Sequence, residues 1–126
     1  MATIFVVDDE EDITNILVQS FKDHGYDVIG FVCPEKMIRS LQVIKCSLII
    51  SDFKMPKVDG LQLMVELKDI IGNEHPPVVF FTGYLGKENY SSLLDRGAKA
   101  VFQKPQMYDE MIDFVSSNIF NKNYPN

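Results

Sequence analysis

Five short apolar runs, TIFVV, VIGFV, SLIIS, PVVFF and KAVFQ, recur along the chain, and they are mostly unbroken rather than alternating. A strand with one wet face alternates polar and apolar residues, whereas a strand covered on both faces does not. The runs therefore predict a parallel sheet with helices on both sides. The intervening segments carry the helical period. Ile13, Ile16, Leu17 and Phe21 share one face, as do Met37, Ile38, Leu41 and Ile44. Leu63, Met64, Leu67, Ile70 and Ile71 form a third stripe, and Met107, Met111, Phe114 and Val115 a fifth. The fourth segment, from about Lys87 to Asp95, is the weakest, with Tyr90, Leu93 and Leu94 as its apolar members. Pro34 suits a first helical turn, and Asp59 with Gln62 reads as a capping box. Gly25, Gly72 and Gly97 fall where helices should stop. Strand and helix thus alternate five times, the pattern of an α/β fold.

At 126 residues, 46% of them hydrophobic, the chain holds one packed domain and is too apolar for disorder. No apolar run approaches ~18 residues, and the N-terminus lacks a secretory pattern, so a cytoplasmic protein that does not enter the membrane is expected. A net charge of −6 argues against a nucleic-acid-binding surface, which needs clustered Lys and Arg. Cys33 and Cys46 form no CxxC pair and read as buried thiols. His24 and His75 stand in polar, turn-like stretches and carry no expectation of function.

In an open parallel sheet, ligands bind outside the carboxyl ends of the strands. The first strand ends on Asp8 and Asp9, the third on Asp52, the fourth on Thr82, and the fifth on Lys104 and Pro105. Each has an ordinary explanation. An acid between strand and helix serves as an N-cap. That covers one of Asp8 and Asp9. It does not cover Asp52, because FKMPKV follows and no helix is expected before about Asp59. The set carries weight that its members lack.

Two carboxylates about 5 Å apart at an effective dielectric of ~20 repel by ~3 kcal/mol. A hard divalent cation removes the conflict. Mg2+ takes oxygen ligands and keeps positions for water or phosphate oxygens, whereas transition metals would call for His or Cys. A metal beside an aspartate suggests phosphoryl transfer to that carboxylate, with Mg2+ and Lys104 neutralising the phosphoryl oxygens and Thr82 donating a hydrogen bond. The nucleotide cradle GxxxxGK[ST] is absent, so a nucleotide is not the expected donor.

VVDDE, IISDFKMPKVDG, FFTGY and RGAKAVFQKP, in this order and spacing, resemble the receiver domain of two-component response regulators over almost the whole chain. The resemblance implies a flavodoxin-like, doubly wound, five-stranded parallel sheet of order 2-1-3-4-5 with five helices, as in chemotaxis receivers. It implies a receiver domain over residues 1–121 and a tail over 122–126. Asp52 would be the phosphoacceptor. Asp8 and Asp9 would be the Mg2+ acids, Asp9 directly and Asp8 through water, with the Lys54 carbonyl completing the protein's share of the shell. Lys104 would pair with phosphate, and its bond to Pro105 would be cis. Pro56 and Gly60 would shape the loop after the acceptor. Receivers usually carry Tyr or Phe three residues before that lysine, and here the position is Val101. The family's switch pairs Thr82 with that aromatic, so Val101 would weaken or replace it. Tyr84 and Lys54 would flank the approach of water.

The implied function is that of a single-domain response regulator taking phosphoryl from a histidine kinase or phosphotransfer protein and signalling to an unknown downstream protein by contact. It would have no separate turnover substrate. Weak homodimerisation is compatible with it. One rival is a receiver-fold interaction module that works without phosphorylation, favoured by Val101. Another is a flavodoxin-like enzyme or an aspartate-nucleophile phosphatase. The first strand is followed by acids rather than a flavin-phosphate loop, and Lys54 stands where such phosphatases usually carry a second Asp.

Overall fold

A computed structural model describes residues 2–83 and 85–120. The expected tail, 122–126, and Tyr84 lie outside the described residues. Five strands, β1 (Thr3–Val7), β2 (Asp27–Phe31), β3 (Leu48–Ser51), β4 (Val78–Thr82) and β5 (Ala100–Gln103), alternate with α1 (Glu11–Asp23), α2 (Pro34–Leu41), α3 (Gly60–Glu66), α4 (Lys87–Asp95) and α5 (Tyr108–Phe114). The strands form one sheet in the order β2-β1-β3-β4-β5, and every pairing is parallel.

The sheet divides the core in two. Phe5, Ile49 and Phe80 point to the side covered by α2, α3 and α4, where Met37, Leu63 and Leu93 meet them. Ile4, Val6, Ile50 and Val79 point to the other side, where Leu17 and Phe21 of α1 and Met111 of α5 pack. Every residue of β3 and β4 is therefore buried, which is why these strands show no alternation. The edge strand β2 keeps several residues at the surface.

The helix ends follow the punctuation. Past α1, Gly25 at φ 92° lets its amide reach Lys22 O while the Tyr26 amide reaches Phe21 O. This reverse-turn pair closes a helix and needs a left-handed residue. Gly97 repeats it after α4, with its amide on Leu94 O and that of Ala98 on Leu93 O. Asp59 caps α3 by accepting from the Gln62 amide at 2.9 Å. The reciprocal half of the expected box is missing, because the Gln62 side chain donates forward to Glu66.

Several stripe residues are not core. Ile16 is 57% exposed, and Ile70, Tyr90 and Leu94 also reach solvent. Ile44 lies beyond the end of α2. For Ile70 the cause is local: α3 runs on into a π-helical turn, Leu67–Ile71, and the Gly72 amide bonds to Leu67 O five residues back. The wider turn rotates the stripe off the core face. A second π-helical turn, Val115–Ile119, follows α5.

Gly60 opens α3 between two aromatic rings. A Cβ there would lie 2.7 Å from ring carbons of both Phe53 and Phe80. Gly60→Ala should therefore lose about 1–3 kcal/mol of stability in urea unfolding through overpacking. Gly83→Ala, where a Cβ meets nothing within 4 Å, should stay within about 0.5 kcal/mol of wild type.

Candidate functional site

Register carries the polar residues to one rim. Val7 of β1 stands beside Ser51 of β3, and the ladder continues one step, with the Asp52 amide donating to Val7 O at 3.0 Å. Asp8 and Asp52 therefore leave adjacent strands side by side. On the far side, Thr82 stands beside Gln103, and the Lys104 amide donates to Thr82 O. The Lys104–Pro105 peptide is cis.

Side chains then close the site. Lys104 Nζ donates to Asp8 Oδ2 at 2.6 Å and lies 3.5 Å from Asp52 Oδ2. Asp8 Oδ1 accepts from the Glu10 amide, and Asp52 Oδ1 from the Phe53 amide. The Thr14 hydroxyl donates to the Asp8 carbonyl and ties α1 to the same point. Asp8, Asp52 and Thr82 are 1%, 8% and 4% exposed, whereas Asp9 is at the surface. One carboxylate oxygen from each of Asp8, Asp9 and Asp52 lies within 4.8 Å of the others. Asp9, Asp52, Lys54, Thr82 and Lys104 line one open cavity of about 600 Å³.

The loop after Asp52 is shaped as a bracket. Phe53 and Met55 turn into the core, and the Gly60 amide returns to Phe53 O at 2.7 Å. Between them Pro56 is exposed and Lys57 takes φ 72°, a left-handed conformation rare for a side chain of its kind. Val101 is buried on the α3–α4 face of β5 and borders a separate, smaller recess beside Thr82.

Burial pushes the Asp8 carboxyl above its ordinary pKa, and the Lys104 hydrogen bond only partly offsets it. Burial also works against the Lys104 ammonium, yet Asp8 and Asp52 outweigh it and hold that pKa above the usual lysine value. The pair thus favours the lysine's charge more than the aspartate's. The neighbours explain the asymmetry: Lys104 gains from two carboxylates, whereas Asp8 gains from one ammonium and is opposed by the Asp52 charge. Three carboxylates facing one ammonium leave a formal deficit of positive charge, in a donor set made only of oxygen. That chemistry fits a hard divalent cation such as Mg2+.

The sequence reading brought Asp8, Asp9, Asp52, Thr82 and Lys104 to one edge, and the structure places them there. It did not anticipate the direct Asp8–Lys104 bond, because that depends on strand order across 96 positions. It also missed Asn89, which reaches the cavity from the start of α4 and has no local signal.

A family model described as "Response regulator receiver domain" matches residues 4–116. Nodulation protein W of Bradyrhizobium diazoefficiens is 28% identical over 114 residues, which cover 90% of this chain and 49% of that protein. The chain spans about half or less of the length of such curated relatives. A two-component response regulator from Clostridium difficile, at 18% identity, superposes with a TM-score of 0.86 over 98% of this chain and 100% of that one. Response regulator protein TrrA of Thermotoga maritima, in complex with Mg2+–BeF, is 25% identical with a TM-score of 0.79, covering 93% of this chain and 98% of that one.

Asp9→Asn removes one repelling charge and leaves the Asp8–Lys104 bond in place. In EDTA the variant should match wild type or exceed it by up to about 1 kcal/mol in urea unfolding. Millimolar Mg2+ should stabilise wild type and leave the variant nearly unchanged. Equal Mg2+ responses would remove Asp9 from the ligand set.

Proposed function

The chain belongs to the response regulator receiver domain family of two-component systems, and from that premise we propose that Asp52 accepts a phosphoryl group in a phosphorelay. The observation that carries the proposal is the placement of Asp52 beside Asp8, Asp9 and Lys104 in the cavity that Thr82 also lines. The donor is a phosphohistidine on a histidine kinase or phosphotransfer protein. An Asp52 oxygen forms the new bond to phosphorus, the P–N bond breaks, and the imidazole leaves with the electron pair. With Oδ1 engaged by the Phe53 amide, Oδ2 is the less engaged oxygen.

Each neighbour has a separate task. Lys104, already between Asp8 and Asp52, balances charge on the phosphoryl oxygens. Thr82 donates its hydroxyl to one of them. Asp9, Asp52 and the Lys54 carbonyl would hold Mg2+ directly, and Asp8, whose two oxygens are engaged by the Glu10 amide and Lys104, would act through water. The bound ion supplies charge neutralisation to the transferring group. The Mg2+–BeF complex of the Thermotoga relative supports this reading. Pro56, Gly60 and Pro105 set the loops that aim these groups.

The receiver unit spans residues 1–121 under this reading. Its output is a change of surface read by a downstream protein, and weak self-association through that surface is compatible with it. Hydrolysis of the acyl phosphate is the only turnover expected. A cytoplasmic setting goes with a kinase partner, and no helix among the described residues is long and apolar enough to cross a membrane. Val101 favours one alternative, a receiver-fold module that binds its partner irrespective of phosphorylation.

With acetyl phosphate and Mg2+, intact-mass measurement should show a single phosphoryl adduct on wild type. The adduct should vanish with EDTA and in Asp52→Ala. The same adduct on Asp52→Ala would defeat the assignment, and partner affinity unchanged by beryllofluoride would favour the phosphorylation-independent module.

A further inference from the structure

β1 leaves the sheet at Asp8. The Asp8 amide makes the last bond on one side, to Phe31 O of β2 at 3.1 Å, and Val7 O receives the last on the other, from the Asp52 amide. The Asp8 carbonyl is therefore past both neighbouring strands. The Thr14 hydroxyl of α1 donates to it at 2.8 Å, in a buried bond between residues six apart. A helical threonine usually turns its hydroxyl to a carbonyl one turn back within its own helix. Thr14 lies in the first turn of α1, so its hydroxyl reaches out of the helix to the acid loop.

That bond aims Asp9. The Asp9 side chain is at the surface and, among the described residues, has no hydrogen bond or ion pair. Even so, one of its oxygens lies within 4.8 Å of oxygens of Asp8 and Asp52. No partner holds it there, and the neighbouring charges push it away. The backbone must do the aiming. The Asp8 carbonyl and the Asp9 Cα share one peptide plane, so a donor that fixes the oxygen also fixes where the Asp9 side chain departs. The donor is itself locked. Thr14 is buried, and its methyl sits on the bare backbone of Gly30, where a Cβ would come within 2.7 Å of it. Methyl and hydroxyl branch from one carbon, so seating the first orients the second.

We propose that Thr14 is a positioning residue for Mg2+ binding: its hydroxyl sets the Asp8–Asp9 peptide so that the Asp9 carboxylate faces the acid cluster before any ion arrives. The inference rests on the reading of Asp9 as a direct Mg2+ ligand given above. Thr14 touches neither the ion nor a phosphoryl group and acts through the main chain. It makes α1 part of the metal site, and the ion need not turn Asp9 inward against the charge of its neighbours.

The test is a Mg2+ titration of the full chain followed by amide nitrogen NMR, beside urea unfolding in EDTA. Thr14→Val keeps the branched shape and removes the donor. It should give the dispersed spectrum of a folded chain and bind Mg2+ about tenfold more weakly. Thr14→Ser, which restores the donor, should bind nearly as tightly as wild type. Ile112→Val, a core truncation on α5, should lose stability in urea and keep wild-type Mg2+ affinity, which separates aim from stability. Thr14→Val added to Asp9→Asn should lower the residual affinity little, because both changes act through one carboxylate. Wild-type affinity in Thr14→Val, an equal loss in Thr14→Ser, or an equal loss on the Asp9→Asn background would overturn this inference alone. Absence of any Mg2+-dependent shift at the rim of wild type would overturn it together with the metal reading.

Discussion

Lys104 stands between Asp8 and Asp52, 2.6 Å from one and 3.5 Å from the other, and the rim of the sheet depends on that position. Without a cation there, the carboxylates of β1 and β3 would repel in a setting where water screens them poorly. The lysine arrives from β5, at the opposite margin of the sheet, so the strand order is a precondition of the site. Asp8 and Asp52 also flank the point where the strand order reverses, between β1 and β3, which is where open α/β sheets form their binding crevice. Fold and charge are one problem at this edge.

The supports beneath the rim are apolar and stiff. Phe53 follows the acceptor directly, gives its amide to Asp52 Oδ1 and packs its ring against Gly60. The first turn of α3 thus sets the aim of the carboxylate through a steric contact. On the other side, Thr14 fixes the Asp8 carbonyl to α1. The α4 quarter lacks this bracing: glycines lead into the helix and a single buried leucine anchors it. Stiff positioning around the acids and a loose neighbour across the cavity suit a site that must hold geometry while passing on a change.

Much of this was legible in the residues. Unbroken apolar runs gave the buried strands, because coverage on both faces leaves no position for a polar side chain. Asp52 stood out because an acid with no helix behind it has no capping role. Other features depend on distant partners or on backbone detail and leave no local mark. The Asp8–Lys104 bond requires the strand order first. Ile70 fits the helical period, yet a π-helical turn moves it to the surface. Lys57 adopts a left-handed backbone that its residue type does not announce. Gln62 fits the capping pattern, but Glu66 lies one turn on and takes its side chain instead.

One consequence follows from the shared lysine. An anion that engages Lys104 would draw it from Asp8, a carboxylate whose charged form burial already disfavours. A divalent ion near Asp9 makes that withdrawal cheaper, and by reciprocity the anion strengthens the ion's hold. At such a rim an anion on Lys104 and a divalent ion among the acids would each raise the other's affinity.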